Sequence, residues 1–180
     1  MVRLWSAADE QVLAVLNGTD CALYVVRGEH GYGTSVGDPT RAGTFELVDH
    51  DVGALSIPWH HCVEGWSATA DWSGVRVSEI AKLVGAEDVD YVEFKSFDRD
   101  GRGRDYWSSW DRDSAMHPQT LLAYGMNGRP LSPEHGAPVR LYGAVKLGYK
   151  QVKYLTEVNF LSEETGGYWE ALGYEWFAGT

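Results

Sequence analysis

The chain has 180 residues, a length that fits one compact domain, and 44% of them are hydrophobic, which is enough for a core without disulfide support. Its formal net charge of −11 disfavours non-specific binding to nucleic acid or to an anionic membrane surface. No apolar stretch is long enough to span a bilayer, and no export signal is visible. We therefore expect a monomer that is cytoplasmic as the chain is given, or periplasmic if a leader has been removed.

The first third of the chain is predicted to begin with a helix and to continue as short strands. Ser6 is suited to cap a helix over residues 7–16, because apolar residues recur there at helical spacing. Glycine, threonine, aspartate and proline in residues 28–43 predict a long loop. Strands are predicted over residues 21–26, 44–48 and 56–62.

The rest of the chain is predicted to contain two short helices among further strands. The helices are expected over 77–84, with Ser78 as its cap, and over 116–124, with Pro118 in its first turn. The charged residues 98–105 predict a loop, because they are rich in glycine and aspartate. Strands are predicted over residues 91–97, 139–142 and 151–160.

Short strands with scattered short helices indicate an α+β domain that is mostly β. We expect this single domain to cover residues 1–180, with an atypical region before about residue 57. The sequence contains no internal repeat, no alternating βαβ pattern and no phosphate loop of the GxGxxG or GKS kind.

Two histidines and a cysteine adjoin one another at His60, His61 and Cys62. Alternate residues of a strand share a face, so His60 and Cys62 are expected to point one way and His61 the other. Three interpretations fit these residues alone. They are a buried and inert cysteine, a zinc site with unusual ligand spacing, and a Cys–His hydrolase in which a histidine activates the thiolate.

Residues 135–156 contain no acidic residue, although the chain as a whole is acidic. The basic residues of this segment are Arg140, Lys146, Lys150 and Lys153. They favour a site for an anionic group such as a phosphate, with a solvated strand face as the alternative. Gly143 and Gly148 would let backbone N–H groups approach an anion, and Pro138 would fix the entry to the strand from which Arg140 emerges.

Five segments, in order along the chain, resemble the molybdopterin-binding domain of the sulfite-oxidase family. They are HCVEGWS (His61–Ser67), WSGV (Trp72–Val75), HPQTLLAYGMNGRPLSPEHGAPVRL (His117–Leu141), KLGYKQVKYL (Lys146–Leu155) and GGYWEALGYEWFAG (Gly166–Gly179). The resemblance covers about two thirds of the chain, from Trp59 onwards. It is to the bacterial stand-alone members related to the periplasmic methionine-sulfoxide reductase, and it implies the sulfite-oxidase-type molybdopterin-binding fold.

The resemblance also implies a molybdenum cofactor of the molybdopterin type and assigns residues to it. Cys62 would be the thiolate ligand of the metal and thereby the catalytic residue. His135 and Arg140 would contact the pterin and its phosphate. The other candidate contacts are Gln151, Val152 and Lys153 around the phosphate, Ser96 or Asp98 at the pterin, and Arg27 and His30 in YVVRGEH, which is similar to the family's first cofactor segment.

The activity that the resemblance implies is a two-electron transfer of an oxygen atom to or from a small sulfur-oxide or nitrogen-oxide compound. Sulfite oxidases carry CAGNRR from the metal cysteine onwards, whereas this chain has CVEGWS, so sulfite is not the expected substrate. Electrons would pass through a separate haem or quinone partner, because no second redox centre is visible. A molybdopterin-binding module without turnover is an alternative, since the region before Cys62 is short and unlike the family pattern.

Overall fold

The computed structural model describes residues 2–6, 11–17, 22–25, 43–45 and 55–180. The strands of these residues are β1 (Val2–Ser6), β2 (Gln11–Asn17), β3 (Ala22–Val25), β4 (Gly43–Phe45), β5 (Leu55–His61), β6 (Ser67–Arg76), β7 (Tyr91–Arg99), β8 (Asp105–Asp111), β9 (Thr120–Met126), β10 (Arg129–Pro130), β11 (Arg140–Gly143) and β12 (Leu155–Leu161). The α-helices are α1 (Val77–Val84) and α2 (Arg112–Ala115), and 3₁₀ turns occur at Pro133–His135, Gly148–Lys150 and Glu170–Leu172. The prediction of an α+β, mostly β, fold class is confirmed.

The strands form two sheets. The first has seven strands in the order β4-β3-β2-β1-β12-β7-β8, and the second has the order β10-β9-β6-β5 with β11 also paired to β9. The β1–β12 pair is parallel, with Trp5 opposite Asn159, and the other described pairs are antiparallel. Because β5 and β6 are consecutive strands of the second sheet, the turn between them carries Cys62 at the end of a fixed hairpin.

The main hydrophobic core combines side chains from both sheets. Phe94, Trp110 and Val158 from the first sheet are fully buried with Leu122 and Leu141 from the second. Removing these apolar surfaces from water is the main favourable contribution to folding, and it fixes the positions of the strand ends that carry the site described below. None of the helices that the structure describes is long and apolar enough to cross a membrane.

Helix α1 forms where it was predicted, over Val77–Val84, but its cap differs. The capping residue is Arg76 in extended conformation, with no side-chain hydrogen bond, rather than Ser78. The helix ends at Gly85, whose φ of 67° lies in the left-handed region that glycine adopts without strain. Ile80 and Ala81 of this helix face the main core, so packing rather than capping stabilises it.

The predicted N-terminal helix is wrong over the part that the structure describes. Residues 11–17 form β2, which pairs with β1 and β3, and Ser6 ends β1 instead of capping a helix. The sequence QVLAVLN carries two β-branched valines, and hydrogen bonds to strands on both sides outweigh its helical spacing. Residues 7–10 lie outside the described residues, as does most of the loop predicted over 28–43.

The predicted helix over 116–124 is also wrong. Helix α2 ends at Ala115, and Thr120–Met126 forms β9 between β6 and β11. Short apolar runs such as TLLAYGM fit a buried strand and a helix equally well by periodicity. The neighbouring strands decide in favour of β9, because they supply hydrogen-bond partners on both of its edges.

The predicted strands are confirmed with shifted ends. Strand β3 matches the prediction for 21–26, β5 that for 56–62, β7 that for 91–97 and β11 that for 139–142, while the described part of the 44–48 prediction is covered by β4. β12 begins at Leu155 rather than 151, because Tyr154 has a φ of 52° that interrupts an extended chain. The predicted loop 98–105 is the tight end of a hairpin, since β7 continues to Arg99 and β8 begins at Asp105.

Candidate functional site

A cleft of about 590 Å³ brings together most of the residues that the sequence singles out. Eight of them line it, namely Cys62, Ser96, Asp98, His135, Arg140, Gln151, Val152 and Lys153. They come from the β5–β6 turn, from β7 and from the segment between the Pro133–His135 turn and β12. Arg27 and His30 lie outside the described residues, so their assignment stays a prediction.

Cys62 is a free, half-buried thiol at the end of the β5–β6 hairpin. Its backbone N–H donates to the Trp66 carbonyl at 3.0 Å, and its carbonyl accepts from the Gly65 N–H at 3.0 Å. Gly65 has a φ of 89°, a conformation that favours glycine, so the sequence CVEG suits this turn. Cys62 therefore follows β5 instead of belonging to it, yet it faces the same cleft as His60.

A second pocket, of about 320 Å³, is also lined by Cys62. Its lining includes His61, Ser67 and Leu147, but no lysine or arginine of the described residues. His61 Nδ1 and Ser67 Oγ are 2.9 Å apart and hydrogen-bonded, which fixes the imidazole in this pocket. The predicted separation of the two histidines thus holds, since His60 lines the larger cleft and His61 the smaller pocket.

Arg140 is the most deeply buried charge of the larger cleft, with 6% of its surface exposed. Its Nη1 donates to the His135 carbonyl at 3.0 Å and its Nε to the Leu141 carbonyl at 3.3 Å. Burial lowers its pKa to about 10, so the guanidinium stays charged at neutral pH. No carboxylate within the described ranges forms an ion pair with it, which leaves a desolvated cation in need of an anion.

Lys153 is a second cation of the larger cleft and lies against the same loop as Arg140. Its Nζ donates to the Glu134 carbonyl at 2.6 Å. Burial and then the nearby charge of Arg140 lower the pKa of Lys153, while Asp98 opposes this shift. Glycine at position 136 allows the Lys153 and Arg140 side chains to lie close together, since a Cβ at that position would lie 2.9 Å from the Lys153 Cβ and 3.3 Å from the Arg140 Cβ.

Lys146 and Lys150 are not part of an anion site, contrary to the expectation for the whole basic segment. Lys146 is 1% exposed and pairs with Asp111 at 2.8 Å, and Lys150 is fully buried and pairs with Glu170. Since Arg140 is also buried, the alternative of a solvated strand face is wrong for these three residues, whereas Lys153 is exposed. Gly143 packs against the Trp110 ring, 2.8 Å from where a Cβ would lie, and Gly148 lines the cleft, so the backbone approach to an anion stays a prediction.

Gln151 is committed to the backbone of its own loop. Its Nε2 donates to the carbonyls of Gly143 at 3.0 Å and Lys146 at 3.2 Å, which uses both amide hydrogens. The amide therefore has no hydrogen left to donate to a phosphate oxygen, the contact that the sequence suggests. Its buried Oε1 makes no hydrogen bond with any residue that the structure describes.

His60 was noted in the sequence, but its surroundings could not be predicted. The ring is half-buried between Trp66 and Tyr142, with centroid distances of 5.7 and 6.0 Å. Burial, followed by the charges of Arg140, His61 and Lys153, lowers the pKa of His60, while the nearby Gln151 side chain acts in the opposite sense. Trp72 and Tyr142 were missed as site residues. Their rings stack at 4.3 Å, and the Arg140 guanidinium lies over the Trp72 ring; only the WSGV motif pointed to Trp72.

The described residues offer no set of three or more His, Cys, Asp and Glu side chains placed to hold a metal ion. A metal at Cys62 would need further ligands that these residues do not supply. Within residues 55–180, no imidazole forms a hydrogen bond with the Cys62 Sγ. The geometry therefore lends no support to the zinc and hydrolase interpretations.

Residues 51–169 match a protein family described as oxidoreductase molybdopterin binding domain. YedZ1 of Azospira oryzae is 44% identical over 122 residues, which are 67% of this chain and 44% of that protein. The protein-methionine-sulfoxide reductase catalytic subunit MsrP of Xanthomonas axonopodis is 36% identical over 62% of this chain and 38% of its own. Mitochondrial sulfite oxidase of Rattus norvegicus is 37% identical over 63% of this chain and 22% of its own. The chain thus spans less than half the length of these curated relatives.

Proposed function

The chain belongs to the family of oxidoreductase molybdopterin-binding domains, and we infer that it is an oxidoreductase whose larger cleft binds a molybdenum cofactor of the molybdopterin type. Cys62 is the protein thiolate on the metal. The reaction is a two-electron transfer of an oxygen atom to or from a small sulfur-oxide or nitrogen-oxide compound. The observation that carries this proposal is the buried Arg140, which has no carboxylate partner among the described residues and shares a cleft with a free thiol.

The residues of the cleft fit this cofactor at both ends. A phosphate requires fixed cations, and Arg140 with Lys153 supply two of them around Gly136, where a side chain would fill the space. A metal already held by two cofactor sulfurs needs one further soft ligand, and Cys62 supplies a single free thiol. Aromatic side chains of the same cleft, including Trp66, Tyr106 and Trp107, offer apolar faces to a planar heterocycle.

When bound, the cofactor supplies the redox change and the oxygen-atom transfer. The protein supplies binding and orientation. Arg140 and Lys153 hold the phosphate, each charged hydrogen bond contributing about 1.5–3 kcal/mol. The Cys62–Gly65 turn fixes the thiolate at the boundary between the cleft and the smaller pocket.

The smaller pocket is the proposed substrate site. It shares Cys62 and Trp66 with the cleft, and its other polar side chains are His61, Ser67 and Thr180, none of which is a lysine or an arginine. A neutral oxide suits such a pocket better than an oxyanion, which would need cations. The relative MsrP is named a catalytic subunit, which supports a separate electron-transfer partner, of the haem or quinone type, for this chain as well.

The proposal is tested on protein made in a host that synthesises the cofactor. We expect about one molybdenum per chain by elemental analysis, together with a fluorescent pterin after oxidative release. Stoichiometric zinc without molybdenum would overturn the proposal. A dye-coupled redox assay on the loaded protein then tests turnover, because a module that only binds the cofactor would carry molybdenum but reduce or oxidise no substrate.

A further inference from the structure

Trp66 is a large aromatic side chain that the fold leaves half in solvent beside Cys62. The indole is 50% exposed, although burial of such a ring is strongly favourable. It lines both the smaller pocket and the larger cleft, as Cys62 does. A single exposed tryptophan is common on protein surfaces, but one that borders a pocket with a free thiol offers its apolar face to a molecule that enters this pocket.

Three contacts fix the Trp66 indole relative to Cys62. The Trp66 carbonyl accepts from the Cys62 N–H at 3.0 Å, which ties the two backbones together. The indole Nε1 donates to Glu64 Oε2 at 3.3 Å, and the ring packs against His60 with 5.7 Å between the centroids. Because an indole has a single N–H and Glu64 already accepts from it, the surface that remains for a ligand is the apolar ring. A ring that is fixed in advance loses little conformational freedom on binding.

The smaller pocket offers a second apolar side chain, Leu147, whose position is set by a hydrogen bond from its N–H to the Ala178 carbonyl at 2.9 Å. Trp66 and Leu147 are the large apolar side chains among the described lining residues, and Cys62 lines the same pocket. The pocket volume of about 320 Å³ lies within the range of small-molecule sites, about 300–1,000 Å³. The pocket therefore has room for a substituent next to the reacting oxide.

The polar side chains of the smaller pocket are already hydrogen-bonded to the protein. His61 Nδ1 and Ser67 Oγ are 2.9 Å apart, and Thr180 Oγ1 donates to the Ala144 carbonyl at 2.7 Å. These groups have fewer hydrogen bonds left for a polar substituent. An apolar substituent needs none, and it gains from the area that it removes from water against the indole.

We propose that Trp66 is a specificity-determining residue of the smaller pocket, where its indole binds an apolar substituent on the sulfur or nitrogen atom that carries the transferred oxygen. The substrate class is thereby an oxide with a large apolar substituent, such as an aromatic ring, rather than the smallest oxides. The inference rests on the proposed function, because it takes the smaller pocket to be the substrate site. It concerns the part of the substrate that does not react.

The first test measures binding by NMR of the indole N–H signals in the absence of a reductant, with Trp66→Phe and Trp59→Phe to assign two of them. The probes are methyl phenyl sulfoxide and dimethyl sulfoxide, which differ in one substituent. We expect methyl phenyl sulfoxide to shift the Trp66 signal, with a dissociation constant about threefold to tenfold below that of dimethyl sulfoxide, the effect of one aromatic contact. No shift at Trp66, or equal dissociation constants for the two probes, would overturn the proposal.

Trp59 is the matched control for both tests. It lies on β5 of the same hairpin, is 55% exposed and is not among the described lining residues of either pocket. Its indole signal should therefore not shift with either sulfoxide. A shift at Trp59 as large as that at Trp66 would show that the sulfoxides bind exposed indoles without a specific site.

The second test measures kcat and KM for the two sulfoxides on the loaded protein, and the preference is the ratio of the two kcat/KM values. Trp66→Ala should lower the preference for methyl phenyl sulfoxide about threefold to tenfold. Most of this change should lie in KM, since a contact to a group that does not react binds ground state and transition state equally. Trp66→Phe keeps an aromatic face and should retain most of the preference, and Trp59→Ala should retain all of it.

The outcomes separate this inference from the proposed function. An unchanged preference in Trp66→Ala, equal losses in Trp66→Ala and Trp66→Phe, or an equal loss in Trp59→Ala would each overturn the role of Trp66. Incomplete cofactor loading cancels from the preference, because both sulfoxides are measured on the same preparation. If Trp66→Ala does not fold, the NMR shift of the unchanged protein still decides. Protein that carries no molybdenum, or that turns over no sulfoxide or N-oxide, would overturn the proposed function instead, and the binding measurement then still tests the contact at Trp66.

Discussion

The Arg140 guanidinium lies over the Trp72 indole, with 5.1 Å between its Cζ and the ring centroid. The contact stabilises the cation from one face, as expected for a guanidinium on an aromatic ring, but it does not neutralise the charge. Lys146 and Lys150, only a few residues along the chain, are each paired with a buried or half-buried carboxylate. Arg140 is thus the cation of this segment that is buried and still lacks an anion within the described residues.

Removing the charge of Arg140 or Lys153 should lower cofactor occupancy rather than the chemistry of the molecules that are loaded. Loss of one charged hydrogen bond corresponds to about a tenfold to hundredfold loss of affinity. We expect Arg140→Ala to be largely free of molybdenum, with near-normal activity per molybdenum, and Lys153→Ala to show a smaller loss because its side chain is more exposed. Arg129→Ala, on an exposed edge strand, is the control. Full occupancy in both variants would remove the phosphate-site assignment.

Replacing the Cys62 thiol should abolish turnover without unfolding the protein. Cys62→Ser keeps the size of the side chain and the backbone hydrogen bonds of the Cys62–Gly65 turn, but it removes the soft ligand. We expect an unchanged unfolding temperature in the cofactor-free protein, much of the wild-type pterin content, and no measurable activity. Activity at the wild-type level would show that Cys62 is not the metal ligand.

Sulfite should be a poor substrate. The smaller pocket has no lysine or arginine among its described lining residues, so a dianion would enter it without charge compensation. The measurement compares kcat/KM for sulfite with that for neutral sulfoxides and N-oxides. Ser67→Arg adds a cation to the same pocket and is expected to raise kcat/KM for sulfite about tenfold. A micromolar KM for sulfite in the unchanged protein would contradict this prediction.

Breaking the Lys150–Glu170 pair should destabilise the fold strongly. Both side chains are buried, so Lys150→Met leaves the Glu170 carboxylate without its partner, a change that typically costs about 3–5 kcal/mol. The free energy of unfolding in denaturant is the measurement, with cofactor-free protein throughout. Lys153→Met makes the same chemical change at an exposed position and should cost at most about 0.5 kcal/mol. Similar values for the two variants would show that the buried pair is not stabilising.

Asp111 should contribute stability that is lost in acid. Burial alone would raise its pKa, but hydrogen bonds from Lys146 and Ser114 outweigh burial and lower the pKa below the usual 3.8. Because the pKa of Asp111 is lowered in the folded state, the stability that Asp111 contributes is complete at a pH above its unfolded pKa of 3.8. That stability disappears as the pH falls below 3.8 towards the pKa of the folded state. The stability difference between wild type and Asp111→Asn should therefore be constant near neutral pH and shrink below pH 3.8. A difference that grows in acid would contradict this sign.

Much of the secondary structure could be predicted from local pattern, and the failures share one cause. Helix α1 carries a pattern of its own, with apolar residues at helical spacing and a glycine after its last residue. β2 and β9 were predicted as helices because a short apolar run does not reveal whether neighbouring strands will pair with it. Those partners, such as β6 for β9, come from distant parts of the chain.

The sequence by itself identified the candidate cofactor contacts, because the segments around Cys62, Arg140 and Lys153 resemble motifs of the family in the same order along the chain. The tertiary structure decided which basic side chains of this segment pair with a carboxylate of the protein and which are left to bind an anion. Lys146 and Arg140 look alike in a basic segment, yet Asp111 lies 35 residues from Lys146 in the chain and pairs with it in the fold. Lys150 is neutralised in the same way by Glu170, 20 residues away. The charge of a buried side chain depends on the partners that packing brings to it, and no local pattern records those partners.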